Sequence, residues 1–436
     1  MLTDGGLSGV DLGVRRVERR VLIIAYFFPP LGGAGVQRTI KFVKYLPSLG
    51  WSPVVVTVGE SDYPMRDASL LSDIPTETPV FRTDIDDVWA RWRWLDSAKF
   101  FWRLAPVVRN LVCFPDPWIG WTRYAVDSAL EAVEKFQPRV IYSTSSPYTS
   151  HLVAREVKKR TGIPWVADFR DEWSENPYMK IGRFGRWRHR RAEAKVLATA
   201  DRVVAVTPGM TAQFASLAGR ATHEFMTITN GYDEDDLNVA GAESERNMRF
   251  TVTYAGLFYG ARQPDYFLKG LRLAIQGDEE LADAMRFVVV GNNQGNPHLD
   301  TFEYPNVVVN RGYVSHAEAV ALTGRADLLL LVIPYAGAEI NYPGKLFEYL
   351  ASGRHIFALA PPDGAAAELV RQARAGVVVA PDDVEAIKVE LLRYFRLWKA
   401  RCEYATRDWD VVHQYSRKAC TAKLERVLNA AAGGKK

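Results

Sequence analysis

Asn341 to Gly353 reads NYPGKLFEYLASG, and this stretch concentrates more usable chemistry than any other in the 436-residue chain. Pro343 and Gly344 stand where a helix should begin, and Gly353 where it should stop. Lys345 and Glu348 are three apart and so share one face, a turn inside that helix. A lysine together with the unbonded N–H groups of a helix N-terminus can hold a pyrophosphate. A glutamate one turn on can accept hydrogen bonds from the adjacent hydroxyls of a ribose. The same spacing also suits a surface ion pair contributing only about 0.2–0.5 kcal/mol.

Six other loops carry groups of comparable interest. TYAGLFYGARQP (253–264) closes a β-rich run on Gly256 and sets one cation, Arg262, ahead of a helical pattern; the arginine either meets a phosphate or is solvated. Gly291-Asn292-Asn293 and Gly312-Tyr313-Val314 follow β-rich runs, which makes Asn292 and Tyr313 candidates for nucleotide contacts, Tyr313 equally for packing. FFPPLGGAGVQR (27–38) joins a β-rich run to a helical one, so Gly33 and Gly35 could bring backbone N–H groups to a phosphate or acceptor hydroxyl, with Arg38 beside them. A bare tight turn fits that loop as well, because GGxG is not the dinucleotide fingerprint and no Walker lysine follows. STSSPYTSH (143–151) and WVADFRDEW (165–173) each lead from a strand into a loop and offer His151, Arg170 and Asp171. Arg170 is always charged and cannot act as a base, so it orients substrate or pairs with Asp168 or Asp171. His151 either meets a ligand or closes a helix N-terminus.

These loops need a scaffold that brings strand ends together. Short β-rich runs alternate with amphipathic stretches along nearly the whole chain, the pattern of parallel sheets covered on both faces. The class expected is α/β, with two Rossmann-like domains over 20–230 and 248–400 and a helix near 411–430 packing back on the first. The acidic, polar stretch NGYDEDDLNVAGAESERN (230–247) is the seam between them. Ligands of such sheets bind beyond the carboxyl ends of the strands, so the chemistry belongs in the cleft between the domains.

Composition narrows the classes. A net charge of +4 with no zinc-finger or RNA-binding signature argues against a dedicated nucleic-acid partner. Cys113, Cys402 and Cys420 lie too far apart for a metal or redox motif and suit a reducing compartment. Met1–Arg20 has no apolar core, so a solvated leader is expected rather than a signal peptide, and no apolar run is long enough to span a bilayer. DVWARWRW (87–94) and KFFWR (99–103) interleave aromatic and basic residues, and Arg183–Arg191 adds cations. Such a strip suits an anionic membrane surface, or else an aromatic core with a basic rim.

With these residues in view, the chain resembles glycosyltransferase family 4, a group of retaining enzymes with the GT-B fold. The opening FFPPLGGAGVQR, the pair SSPYTSHL and IPWVADFRDEW, and PGKLFEYLASG carry the resemblance, the middle pair pointing to a polysaccharide-assembly branch. It implies a nucleotide-sugar donor, with Glu348 on the ribose and Arg262 with Lys345 on the pyrophosphate. Gly256, Gly344, Asn292 and Tyr313 would also border the donor. The family's sugar-contacting glutamate falls at Ile340 here, leaving Glu339 or Asn341 as its nearest substitute, and the arginine usual after Gly256 is Leu257. The resemblance also points to a lipid-linked carbohydrate acceptor. No DxD-like carboxylate cluster stands in a loop of the cleft, so neither metal nor cofactor is expected, and the cysteines and the basic aromatic strip suit a cytoplasmic protein at the inner face of the membrane. A silent homologue serving as a binding subunit and a sugar-nucleotide epimerase are the alternatives.

Overall fold

A computed structural model describes residues 19–59, 65–97, 105–176, 179, 181–238, 247–335 and 342–433. The expected leader falls outside these residues apart from Arg19 and Arg20, which already belong to the first strand. Seven parallel strands form the first sheet: β1 Arg19–Ile24, β2 Trp51–Val58, β3 Val80–Thr83, β4 Val140–Ser145, β5 Trp165–Phe169, β6 Arg202–Ala205 and β7 Phe225–Thr227. Their spatial order is β3-β2-β1-β4-β5-β6-β7. The second sheet comprises β8 Phe250–Ala255, β9 Met285–Val290, β10 Val308–Gly312, β11 Leu328–Val332, β12 His355–Leu359 and β13 Gly376–Val379. It runs β10-β9-β8-β11-β12-β13, the same doubly wound order. Runs such as LLLLV in β11 and HIFAL in β12 are buried along their full length because helices cover both faces.

The order reverses between β1 and β4 in one sheet and between β8 and β11 in the other. At such switch points neighbouring loops part and leave a crevice. The loops after β1, β4, β5 and β8, and the helix Gly344–Ala351, therefore gather at two carboxyl edges.

The C-terminal helix Arg417–Ala432 belongs to the first core, which Cys420, Leu424, Val427, Leu428 and Ala431 join. The chain thus crosses between the domains twice, and the crossings bond to each other. Tyr232 N–H donates to Tyr415 O at 3.2 Å, and Arg417 N–H to Tyr232 O at 2.7 Å. A Cβ on Gly231 would lie 2.2 Å from Tyr415 O, so no other residue permits this approach. Asp233–Asp236, read above as part of a linker, is pinned to the first domain. Lys41 Nζ lies 2.6 Å from Asp233 and 2.8 Å from Asp73, Lys44 Nζ lies 2.7 Å from Asp235, and Tyr45 donates to Asp233 at 2.5 Å. Burial pushes the Asp233 carboxyl up, but hydrogen bonds from Lys41 and Tyr45 prevail and hold it at about 2.

Candidate active site

The helix Gly344–Ala351 buries Leu346, Phe347, Tyr349 and Leu350 and leaves Gly344 and Glu348 exposed. Tyr349 fixes it to the sheet by accepting a hydrogen bond from Ala255 N–H at the end of β8, at 2.8 Å. Lys345 Nζ is carried over the Tyr254 ring, 3.8 Å from its centroid. It lies so close to Gly256 that a Cβ there would stand 2.5 Å from the ammonium, and Gly256 also has a φ of +136°. Glycine is thus required on two counts.

Burial pushes the Lys345 ammonium well below the usual lysine range; the Arg262 charge pushes the same way and Glu348 opposes both. Arg262 donates from Nη1 to Tyr259 Oη at 3.3 Å, while its buried Nε has no hydrogen-bond partner. Among the described residues neither cation is in an ion pair. Two basic groups, an aromatic face and a helix N-terminus therefore converge, and among the described residues neither basic group is hydrogen-bonded to a carboxylate, Glu348 acting on Lys345 only at a distance. Such a place can bind a diphosphate and stabilise charge that builds on it.

Asn293, rather than Asn292, holds this loop in shape. Its Oδ1 accepts from Phe258 N–H at 2.8 Å and its Nδ2 donates to Gly256 O at 2.7 Å, whereas Asn292 is exposed. An amide buried just after a strand and a glycine is the signal that could have singled it out. Tyr313 is 76% exposed, so it is not a packing residue. Glu348 shares a small crevice with Gln37 and Lys41 of the first domain and with Arg417, and so faces across the interdomain gap. Glu339 and Asn341 lie outside the described residues.

The first domain presents a different picture. Gly33 caps the helix Ala34–Tyr45 with a φ of 87°, and Gly35 packs against Phe27. Arg38, expected beside a phosphate in this loop, is only 1% exposed and lies inside the protein. Its Nε and Nη2 bond Asp168 at 2.9 and 2.8 Å, and it also donates to the carbonyls of Ile228 and Thr229. Asp168 accepts further bonds from Tyr142 at 2.6 Å and Thr144 at 2.9 Å. Burial raises the Asp168 carboxyl, yet the Arg38 charge overrides it and holds the group ionised below its ordinary value. The expectation for Arg38 is corrected accordingly: its donors are taken up by the protein. A carboxylate at the end of the apolar run WVAD was the clue, since a buried charge requires a partner.

Arg170, unlike Arg38, pairs with no carboxylate among the described residues. It is half-buried and donates to the carbonyls of Ser145, Ser146 and Gly35, tying the loop after β4 to the glycine loop. His151, a candidate ligand residue, is fully buried between Trp165 and Phe169, with Nδ1 2.8 Å from Ser143 Oγ. Burial depresses its imidazole to about 3, so it is neutral and walled off from the cleft. Asp171 is exposed and accepts from Ser146 Oγ at 3.3 Å, which leaves it the one carboxylate of the set open to a substrate hydroxyl.

The aromatic–basic strip divides. Trp121 is fully buried and donates to Thr83 Oγ1 at 2.7 Å, as an aromatic core requires. Trp92 and Trp94 are instead 40% and 58% exposed, and Phe184 and Trp187, stacked at 5.8 Å, are 61% and 54% exposed. Arg188 reaches the carbonyls of Asn110 and Leu111 and so joins the helix Arg183–Thr199 to this region. Residues 98–104, with Trp102, lie outside the described residues. Among the described residues no helix is long and apolar enough to cross a membrane.

Two doubly wound domains, joined at a bonded double crossing and opposed across a cleft, define the GT-B class of glycosyltransferases. The family model described as "Glycosyl transferase 4-like domain" matches residues 33–231, and "Glycosyl transferases group 1" matches residues 249–396. The chain belongs to the glycosyltransferase family 4-like group. Among solved structures it is similar to a glycosyltransferase from Rickettsia africae ESF-5, with 13% identity, 96% of this chain and 100% of that one covered, and a TM-score of 0.64. Sucrose-phosphate synthase from Thermosynechococcus elongatus gives 13% identity, the same coverage and a TM-score of 0.63. The lipopolysaccharide outer core galactosyltransferase WaaB gives 12% identity, 96% and 100% coverage and a TM-score of 0.55. At such identities the likeness is one of fold. No curated protein matches the chain.

Proposed function

We propose that this glycosyltransferase moves a sugar, with retention of configuration, from a nucleoside diphosphate sugar to a lipid-linked glycan during cell-surface polysaccharide synthesis. The observation that carries the reading is the convergence of Lys345 and Arg262 at the N-terminus of the helix Gly344–Ala351, with no carboxylate paired to either among the described residues. In this reading the two cations and the helix terminus hold the donor pyrophosphate, and Glu348 takes the ribose hydroxyls. As the bond between sugar and phosphate breaks, charge builds on the leaving phosphate, where both cations stabilise it. That phosphate accepts the proton of the acceptor hydroxyl on the same face of the sugar, so no protein nucleophile is used. Charge neutralisation falls to the side chains, and the reaction needs no metal. Asp171 and Ser146, held by Arg170, border the acceptor.

The exposed aromatics Trp92, Trp94, Phe184 and Trp187 among arginines support a peripheral seat on the anionic, cytoplasmic face of a membrane, where a lipid-linked acceptor lies. The known activity of WaaB on lipopolysaccharide outer core agrees with an acceptor of this kind.

The test is calorimetric titration with uridine, guanosine and other nucleoside diphosphates, followed by donor hydrolysis without acceptor. A true donor base stabilises the fold by about 2.7 kcal/mol at a hundredfold its Kd. Failure of every nucleoside diphosphate to bind would sink the reading. Binding without any sugar release, with or without glycan acceptors, would identify a silent homologue instead.

A further inference from the structure

A cavity of about 460 Å³ opens at the edge of the second sheet opposite the cleft. Asp327, just before β11, and His355, the first residue of β12, line it together with Trp398 and Trp409. Its volume is in the range of small-molecule sites.

The charges around it are unbalanced. Arg407 is 7% exposed, and its guanidinium hydrogen-bonds to main-chain carbonyls: Tyr349 and Leu350 at the C-terminal end of the Gly344–Ala351 helix, then Arg354 and Ala375. Its Nε has no hydrogen-bond partner. Burial lowers the group to about 10, which leaves it charged at neutral pH. Arg325 and Arg354 line the same cavity, and among the described residues none of the three is in an ion pair. Of the cavity's carboxylates, Asp327 is engaged by Thr251 N–H at 2.8 Å and Glu403 lies exposed at the rim.

Three arginines, none ion-paired among the described residues and outnumbering the two carboxylates of the lining, favour a compact anion, and guanidinium matches phosphate geometry especially well. The indole of Trp409, 42% exposed, lines the cavity beside them, with the Arg407 guanidinium 5.7 Å from its ring centroid and His413 stacked at 5.9 Å; the exposed remainder of the ring offers apolar surface. A sugar ring has a C–H face that lies flat on such a surface. We propose that this cavity is a second ligand site, separate from the donor cleft, for a small phosphorylated sugar. The phosphate meets Arg325 and Arg354 near the buried Arg407 charge, and the ring lies against Trp409. The site shares an element with the donor cleft, since the helix whose N-terminus presents Lys345 has its C-terminus capped by Arg407.

The test is calorimetric titration of the full chain with glucose 6-phosphate and with inorganic phosphate. Glucose 6-phosphate should bind wild type saturably and more tightly than phosphate. The R325A/R354A variant should weaken it about tenfold or more, as expected for lost charge-assisted hydrogen bonds. K345A, which alters the donor cleft, should change its Kd by less than about twofold, the sites being well separated. W409A should cost affinity for the sugar phosphate and leave that for phosphate unchanged, with thermal unfolding confirming that each variant is folded. Absence of binding, an unchanged Kd in R325A/R354A, or loss of binding in K345A would overturn the site. Equal affinities for phosphate and glucose 6-phosphate would overturn the sugar assignment.

Discussion

The carboxyl edges of the two sheets use their cations in opposite ways. At the first edge Arg38 is bonded to Asp168 and two carbonyls, and Arg170 to three carbonyls. At the second edge Lys345 rests on an aromatic ring, Arg262 has a buried nitrogen without a partner, and the Arg262 charge raises the cost of charging Lys345. A charge satisfied inside the protein builds structure. A charge left unsatisfied where burial already penalises it is kept for something that arrives from outside. Residue type distinguishes neither case; the partners do.

The sharpest way to break this contrast is to remove Asp168. Asp168→Ala strands the Arg38 guanidinium in the interior, which should destabilise the fold by about 3–5 kcal/mol in urea unfolding. A loss under about 1 kcal/mol would show that the pair is not structural. At the second edge the expected effect is on chemistry. Lys345→Ala and Arg262→Ala should each reduce kcat by roughly ten- to a hundredfold at saturating donor. Their effects should be non-additive, because both act on one diphosphate. Free-protein stability should hold or rise in Lys345→Met, since a desolvated ammonium is removed. Strictly additive rate losses, or a large drop in stability, would return these cations to the structural class.

Glu348→Ala should weaken nucleoside diphosphate binding by about tenfold, the loss of one or two charged hydrogen bonds, with the thermal midpoint unchanged. Equal affinity in mutant and wild type would remove Glu348 from the ribose. A subtler sign of the same contrast is proton uptake. The Lys345 pKa is depressed in the free protein, and a bound diphosphate must raise it. Donor affinity is then greatest below the free-state pKa and declines as pH rises from there to the bound-state pKa. Titrations in buffers of different ionisation enthalpy should show net proton uptake in wild type and none in Lys345→Met. The smallest effect expected is at the membrane: serine at Trp92, Trp94 and Trp187 should reduce binding to anionic vesicles several-fold without unfolding the protein. Unchanged partition, or collapse of the fold, would assign the strip to some other role.

Much of this arrangement is legible in the sequence. The alternation of buried strands and amphipathic helices foretells two parallel sheets, and Pro343-Gly344 with Gly353 mark the ends of the observed helix Gly344–Ala351 to within a residue or two. Local signals suffice there because caps and periodicity act over a few residues. The edge strands Val80–Thr83 and Phe225–Thr227 escape such reading, being short and only partly buried. Arg38 escapes for another reason: its partner is 130 positions away, and only the fold brings Asp168 to it. Sequence context made Arg38, His151 and Lys345 look alike as polar groups beside a cleft. Burial separates them, and burial is a property of the whole chain. The acidic run Asp233–Asp236 shows the same limit, since its cations, Lys41 and Lys44, come from the first helix of the domain.

The double crossing at Gly231–Tyr232 and Tyr415–Arg417 has a consequence for how the molecule is made. The second domain is spliced, in chain order, into the first. A ribosome therefore completes the second domain while the first still lacks the helix that covers Thr229 and contributes Leu424, Val427 and Leu428 to its core. Since domains generally form as units during synthesis, the earlier-born half should be the later to mature. It should wait, with part of its apolar surface uncovered, until Arg417–Ala432 emerges and closes it.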